Sequence, residues 1–302
     1  HRLCLYHKNL DEEIGLEILR LLLERCPESV RHAVDIVSLP LHIAALYHAD
    51  SLGYLPIHFA AMTQSPEFCR ILIEAYPGSE RITAAGAALP FHLACQYNTV
   101  ATAKYFYTLY PESISVASAT GLFAIYFLMR EFNNRSTPND GITLIKFLLD
   151  CDPNVASQKQ KLDGNLPLYW ACKITRQSVW VSKVNAAVKI AQVLYDAHPE
   201  AITEDTCIAR DLLNFSDEIQ TFINTQLNFA RQARDSTLMS ARDEQGQLPL
   251  HTALRDNAPF GTIKLLVKGN PIAVQTPDDD GELPLHLAIQ HHDSTAVVEY
   301  LI

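Results

Sequence analysis

Histidine and cysteine are the side chains of this sequence that could carry chemistry. The chain has 12 histidines and 7 cysteines among 302 residues, and zinc takes such ligands when they come in tight pairs at short spacing. One local group exists, His291-His292-Asp293, which we expect to be a solvated loop, with a metal site as the disfavoured alternative. Because no Cys-x-x-Cys pair occurs, we expect small buried thiols and a reducing compartment. The cysteines are Cys4, Cys26, Cys69, Cys95, Cys151, Cys172 and Cys207.

Enzymatic chemistry has no visible carrier in the sequence. It contains no Gly-rich phosphate loop, no Ser or Cys nucleophile elbow and no His-Glu-x-x-His pattern. We therefore expect a non-enzymatic chain that holds neither a metal nor a cofactor. Metal-dependent catalysis stays open as a hypothesis, and it would require bound metal in the purified protein.

Five histidines belong to a repeated hexapeptide, Leu-Pro-apolar-His-x-Ala. Successive hexapeptide prolines are 16, 34, 77, 82 and 35 residues apart, and degraded copies at 123–128 and, more weakly, at 208–213 divide the long intervals. A period of about 34 residues predicts a stacked array of supersecondary units. The copies begin at Leu39, Leu55, Leu89, Leu166, Leu248 and Leu283, and the Leu166 copy has Tyr169 in place of the histidine.

The positions of proline predict where the helices that carry these histidines begin and end. Proline suits the first turn of a helix, so each hexapeptide is expected to open a short helix. A second apolar helical stretch then runs into another proline, which cannot continue the helix. The histidine is expected to be buried and to bond backbone groups on two sides. The predicted stop signals are Pro27, Pro77, Pro111, Pro153, Pro199 and Pro271.

This pattern resembles that of the ankyrin-repeat family, whose unit of about 33 residues opens with Thr-Pro-Leu-His-x-Ala. The resemblance implies an all-α solenoid of about eight helix-turn-helix units with β-turn or hairpin connections. Three features depart from the family: leucine replaces the threonine, proline replaces the glycine after the second helix, and the Leu39 and Leu55 copies are only 16 residues apart.

The whole chain, 1–302, is predicted to form one array. Because the sequence begins without methionine and stops inside a predicted second helix, we expect it to be a fragment of a longer protein. The expected units are 1–30 (partial), 31–50 (short), 51–83, 84–116, 117–157, 158–204, 205–239, 240–275 and 276–302 (truncated).

Charge bears on the partner more than on the fold. The net charge is −10, and residues 204–302 hold 15 acidic against 7 basic side chains. This excess predicts either simple solubility or a rim that steers a partner basic toward the C-terminal half. Nucleic acid is disfavoured because no basic face is evident, and no apolar run reaches the roughly 18 to 20 residues of a membrane helix. The predicted acidic turn-tip residues of the rim are Glu244, Asp279, Asp280 and Glu282.

The resemblance also implies where a partner would bind. In the family, the concave surface is formed by the turn tips and by the residues two and three beyond the motif alanine. A longer loop at 173–186 carries Trp180, which is expected either to bind or to fold back as a lid on the core. The concave positions carried over are Tyr47, Met62, Gln96, Tyr97, Arg130, Glu131, Lys173, Arg255, Asp256, Gln290 and His291.

Two functions are compatible with this interpretation. The first is a monomeric scaffold, cytoplasmic or alternatively nuclear, that binds another protein on the concave face. The second is the targeting or regulatory region of a larger enzyme, such as a kinase or ubiquitin ligase, whose catalytic domain lies elsewhere.

Overall fold

A computed structural model describes residues 54–134, 138–177, 181–203 and 206–302, and also Glu17, Arg20, Leu21 and Glu24. The chain divides into two compact units. The first unit contains the described residues up to Val155 and Gln160–Gly164, and the second contains Ala156–Lys159 and Asn165–Ile302. The Leu39 copy of the hexapeptide and its short unit lie outside the described residues, and a single continuous array stays a prediction.

The first unit consists of helix pairs, as the sequence predicts. Helices α1, α3 and α5 pack side by side, and α2, α4 and α6 form the second row. Its helices are α1 (Pro56–Thr63), α2 (Pro66–Ala75), α3 (Pro90–Tyr97), α4 (Val100–Leu109), α5 (Ala124–Arg130) and α6 (Pro138–Cys151).

The local sequence explains these helices. Hexapeptide prolines occupy the first turns of α1 and α3, where a missing N–H is harmless. Ser65 and Thr99, 34 residues apart, cap α2 and α4 by accepting backbone N–H bonds at 3.3 Å. The degraded copy at 123–128 does form a helix, α5, and its apolar side chains are buried.

Tight turns connect successive pairs. In four of them the backbone N–H of one residue donates to the carbonyl four residues later, at 2.9 to 3.0 Å. The turn that contains Gly246 needs a left-handed residue, because its φ is +70°. The four hydrogen-bonded pairs are Ala84–Ala88, Ser118–Leu122, Asp243–Gln247 and Asp278–Glu282.

The second unit is also helical, but its pairs are less regular. The weak copy at 208–213 forms only a four-residue helix, α9, and α10 is 18 residues long. Its helices are α7 (Pro167–Gln177), α8 (Val181–Ala197), α9 (Cys207–Arg210), α10 (Asp217–Arg234), α11 (Ser236–Ser240), α12 (Pro249–Arg255), α13 (Phe260–Gly269), α14 (Pro284–His291) and α15 (Thr295–Leu301).

Helix α13 packs against both α8 and α10. Glycine permits these close approaches, because a Cβ added at Gly261 would lie 2.8 Å from the Tyr195 carbonyl oxygen and one at Gly269 would lie 2.7 Å from that of Ala233. The Asp196 carboxylate accepts the backbone N–H of Gly261 at 2.7 Å. The last turn of α8 therefore caps the start of a helix 65 residues further along the chain.

The predicted proline stop signals are confirmed where the structure describes them. Helices α2, α4, α6, α8 and α13 each end two residues before a proline. Beyond these helices the chain usually continues into a short 3-10 helix, which the sequence did not predict. The four 3-10 helices that begin at such a proline are Pro111–Ser115, Pro153–Ser157, Pro199–Ala201 and Pro271–Gln275.

The predicted long loop at 173–186 is wrong over most of its length. Helix α7 continues to Gln177 and α8 begins at Val181. Neither flanking segment contains proline or glycine, so nothing in them stops a helix and the extra sequence lengthens two helices. Trp180 lies outside the described residues.

Candidate partner-binding surface

The motif histidines hold the repeat together. His58 Nδ1 accepts the backbone N–H of Leu55 at 2.9 Å, and its Nε2 bonds the Ile82 carbonyl oxygen at 3.0 Å. Because Nδ1 accepts, Nε2 must carry the proton and the imidazole is neutral. The predicted two-sided bonding is thus confirmed for His58, and it recurs as Leu89–His92–Val116 and Leu248–His251–Thr276. His286 departs from the prediction, because it is exposed and its Nδ1 accepts the backbone N–H of Leu283 at 3.1 Å.

Burial keeps these histidines neutral. It lowers the pKa of His58 and of His92 to about 4, against the opposing effect of their backbone hydrogen bonds. Burial also lowers the pKa of His251. The His92 ring stacks on Phe127 of the next helix pair at 4.9 Å. These imidazoles therefore serve the structure and are unavailable as ligands or bases.

Tyrosine takes the histidine position in two copies. The Tyr169 hydroxyl donates to the Asp211 carboxylate at 2.8 Å. Tyr126 is buried and bonds the Gln160 backbone, and burial raises its pKa. In both copies a tyrosine side chain therefore makes the contact with the following repeat that the imidazole makes elsewhere.

A second link, not predicted from the sequence, lies eight residues after the hexapeptide proline. Asn98 Nδ2 donates to the Gln64 carbonyl oxygen at 2.8 Å, and His292 Nε2 bonds the Ala258 carbonyl oxygen at 2.9 Å. Both links span 34 residues. The expected solvated loop at 291–293 is therefore wrong for His292, which is half-buried and joins neighbouring units. The sequence did contain a signal for this link, because a polar residue recurs eight residues after the hexapeptide proline.

These links fix the ends of the hexapeptide helices, whose outward side chains form what we call the first-helix surface. In the first unit Tyr97 is 45% exposed and Arg130 is exposed, while Met62 and Glu131 are half-buried. Burial raises the pKa of Tyr97, and the nearby Glu131 carboxylate adds to that effect while Arg130 opposes it. Tyr97, Arg130 and Glu131 are therefore neighbours.

Gln96 does not belong to this surface, contrary to expectation. Its side chain is only 4% exposed, and its amide donates to the Tyr97 hydroxyl at 3.0 Å. Successive helical residues point about 100° apart, and in α3 this rotation leaves Tyr97 outward and Gln96 inside. Gln96 instead orients Tyr97 from below.

In the second unit the first-helix surface is polar and largely self-paired. Arg255 contacts the Asp278 carboxylate at 3.1 Å and that of Glu282 at 3.6 Å. The Gln290 amide also donates to Glu282, at 3.0 Å. Lys173 is half-buried, with its ammonium 5.2 Å from the Trp170 ring centre. The exposed members are Asp256, Gln290 and His291.

The acidic turn tips are only partly free. The Asp278 side chain is fully buried and accepts the backbone N–H groups of Asp280 and Glu282. Arg242 lies 3.6 Å from the Asp279 carboxylate. Two arginines therefore offset part of the negative charge that the sequence places at these tips. Glu244, Asp279 and Asp280 remain exposed.

The described cysteines are free thiols. Cys69, Cys95 and Cys172 are completely buried, as expected, and burial raises the pKa of Cys69 and Cys172 to about 12. Within the described residues no group of three or more His, Cys, Asp or Glu side chains could hold a metal ion. None of the helices in that part of the chain is both long and apolar enough to cross a membrane. Tyr47 lies outside the described residues, as Trp180 does.

No protein-family model matches the chain, and no match was found among curated proteins. One similar solved structure is the ankyrin repeat domain of Bcl-3, a member of the IkappaB family, with 16% identity, a TM-score of 0.40, and coverage of 88% of this chain and 99% of its own. Another is a structure of the Bd0816 predatory endopeptidase from Bdellovibrio bacteriovorus in complex with immunity protein Bd3460, with 14% identity, a TM-score of 0.32, and coverage of 81% and 95%.

These likenesses are too weak to bear on function, and the fold type is evident from the units themselves. Helix pairs open on a Leu-Pro-apolar-His hexapeptide, tight turns connect them, and buried histidines bond both neighbours. The described residues therefore form a helical repeat fold, as the resemblance of the sequence motif to ankyrin repeats implies.

Proposed function

We propose that the chain is a non-enzymatic interaction module that binds another protein through the first-helix surface, with Tyr97 as its anchor. One observation carries this proposal. Tyr97 is 45% exposed, yet its hydroxyl is held by the buried amide of Gln96 at 3.0 Å. A large ring is thus presented to solvent in a fixed orientation.

The physical reason lies in the entropy of binding. Ordering a side chain at an interface costs about 0.5 to 1.5 kcal/mol, and a tyrosine held in advance avoids part of that loss. Tyrosine and arginine are also the residues that dominate measured interface energies. Tyr97 and Arg130 supply both types side by side, and the half-buried ring of Tyr54 lies close by.

The experiment is affinity capture by the full chain from native cells, compared between the original sequence and Tyr97→Ala. Leu238→Ala is the matched control, because Leu238 is 44% exposed, lies in the second unit and is not part of the first-helix surface. A protein that is lost with Tyr97→Ala and retained with Leu238→Ala supports the proposal. Equal capture of every protein by both variants refutes the placement of the site.

Several finer features remain part of this proposal. The exposed carboxylates Glu244, Asp279 and Asp280 favour a partner that is basic where it meets the second unit. The buried free thiols fit a reducing cytoplasm, and the array is proposed to be monomeric. A regulatory region of a larger enzyme would use the same surface, and the full-length sequence would distinguish that alternative.

A further inference from the structure

A groove in the second unit lies away from the first-helix surface, along helix α13 and the 3-10 turn at Pro199–Ala201. It holds two adjoining cavities of about 280 Å³ and 480 Å³. Pro199, Glu200, Leu265 and Lys268 line both cavities. We call it the Pro199 groove. Its two cavities meet where Lys268 and Glu200 form an ion pair at 3.2 Å.

The close packing of α13 creates this groove. Gly261 lets the start of α13 touch Tyr195, and Gly269 lets its end approach Ala233 of α10. Thr262 reinforces the contact through bonds to the Tyr195 hydroxyl, at 3.1 Å, and to the amide oxygen of Gln226. These contacts hold one side of α13 against α8 and α10, and residues on its other side, such as Lys268, are exposed.

Charge is segregated toward this groove. Residues 204–302 contain only 7 basic side chains against 15 acidic ones. Arg242 and Arg255 are paired with carboxylates at the turn tips. Three others, Arg234, Lys264 and Lys268, line the Pro199 groove. The groove is therefore lined by three basic side chains, of which Lys268 is paired with Glu200 and Lys264 lies near the Asp196 carboxylate.

Glu200 is the one carboxylate among the lining residues, and it is already paired. Its two oxygens lie 3.2 Å from Lys268 and 3.6 Å from His198. Lys264 is held over the Phe260 ring at 4.2 Å and donates one bond to the Asp196 carbonyl oxygen. An ammonium has three donors, so the Lys264 head can still bind an anionic group.

The larger cavity has an apolar lining beside these charged side chains. Leu265, Val267 and the ring of Tyr300 line it, and Tyr300 is fixed by an edge contact with Phe260 at 5.4 Å. Its volume of about 480 Å³ lies within the range of about 300 to 1,000 Å³ that is usual for binding cavities. An apolar side chain fits such a space.

We propose that the Pro199 groove binds an acidic peptide segment of a partner protein, with one apolar side chain in the larger cavity and carboxylates at Lys264, Lys268 and Arg234. Complementary charge supports an acidic occupant. A peptide is favoured over a small anion because two cavities in a row suit an extended chain. This site is independent of Tyr97.

The test is fluorescence polarisation of the 302-residue chain with a labelled peptide that has one phenylalanine flanked by glutamates. The matched peptide has lysines in place of the glutamates. The test variant is Lys268→Glu with Arg234→Glu, and the control is Arg231→Glu, which reverses an exposed arginine of the same helix outside the groove. Circular dichroism of each variant verifies folding.

The proposal predicts saturable binding of the acidic peptide, weaker by about tenfold in the double variant and weakened further by salt. Arg231→Glu and Tyr97→Ala retain binding. Absence of binding to the original chain, equal binding of the lysine peptide, or equal loss in Arg231→Glu overturns the proposal. Complete competition by inorganic phosphate overturns it too, because it indicates a simple anion site. Tyr97→Ala separates this result from the fate of the proposed function.

Discussion

Acid should destabilise the first unit through its two buried motif histidines. In His58 and His92 the ring Nδ1 accepts a backbone N–H, so a proton placed there would set two donors against each other. Burial lowers the pKa of both to about 4. The unfolded chain, with a pKa of about 6.5, therefore takes up protons before the folded chain does.

The sign and size of the effect come from linkage. Stability is fully present above pH 7 and declines as the pH falls from about 6.5 toward 4, because the unfolded state binds more protons over that range. Between pH 7 and pH 5 the free energy of unfolding should fall by about 2 kcal/mol for each of the two histidines. No such loss is expected between pH 8 and pH 7.

Urea unfolding followed by circular dichroism at pH 5, 6, 7 and 8 measures this dependence. In His92→Gln the amide can replace both hydrogen bonds of the imidazole without titrating, so the loss between pH 7 and pH 5 should shrink by the about 2 kcal/mol that His92 contributes. His291→Gln removes an exposed histidine and is the matched control. A loss in His92→Gln equal to that of the original chain would refute the buried, neutral role of His92.

Three substitutions test the packing of the second unit by urea unfolding. Gly261→Ala should destabilise it by about 1 to 3 kcal/mol, because the new Cβ would lie 2.8 Å from the Tyr195 carbonyl; a gain in stability, as helix propensity alone predicts, would contradict this packing. Arg255→Met should lower stability by about 1 to 3 kcal/mol, since it leaves the buried Asp278 carboxylate without its cation, and an unchanged midpoint would show that the pair is unimportant. Tyr169→Phe should lower stability by about 1 kcal/mol by removing the bond to Asp211; a double-mutant cycle with Asp211→Ala checks that coupling.

The repeated features of the fold could be predicted from the sequence because each arises from local chemistry. Proline at the start of α1 or α3 fits the first helical turn, where its missing N–H needs no partner. Pro111 follows the end of α4, because a helix does not readily continue through a residue that lacks this N–H. The degraded copy at 123–128 was recognisable by its apolar pattern and its distance from Pro90. Such signals lie within a single unit.

Features that depend on contacts between distant residues could not be predicted. The link from His292 to Ala258 requires knowing which carbonyl faces the loop. The burial of Gln96 depends on the rotation of α3, which separates it from Tyr97 by a fraction of a turn. The approach of α13 to α8 depends on Gly261, and glycine in a sequence does not show which backbone will lie against it.

Hydrogen–deuterium exchange of the full chain, alone and with a captured partner, would show whether the first-helix surface is where the partner binds. We predict slower exchange in the partner complex for the segments around Tyr97 and around Arg130 and Glu131, with little change in helix α4. Protection confined to α4 and α6, with none at Tyr97, would contradict binding on the first-helix surface.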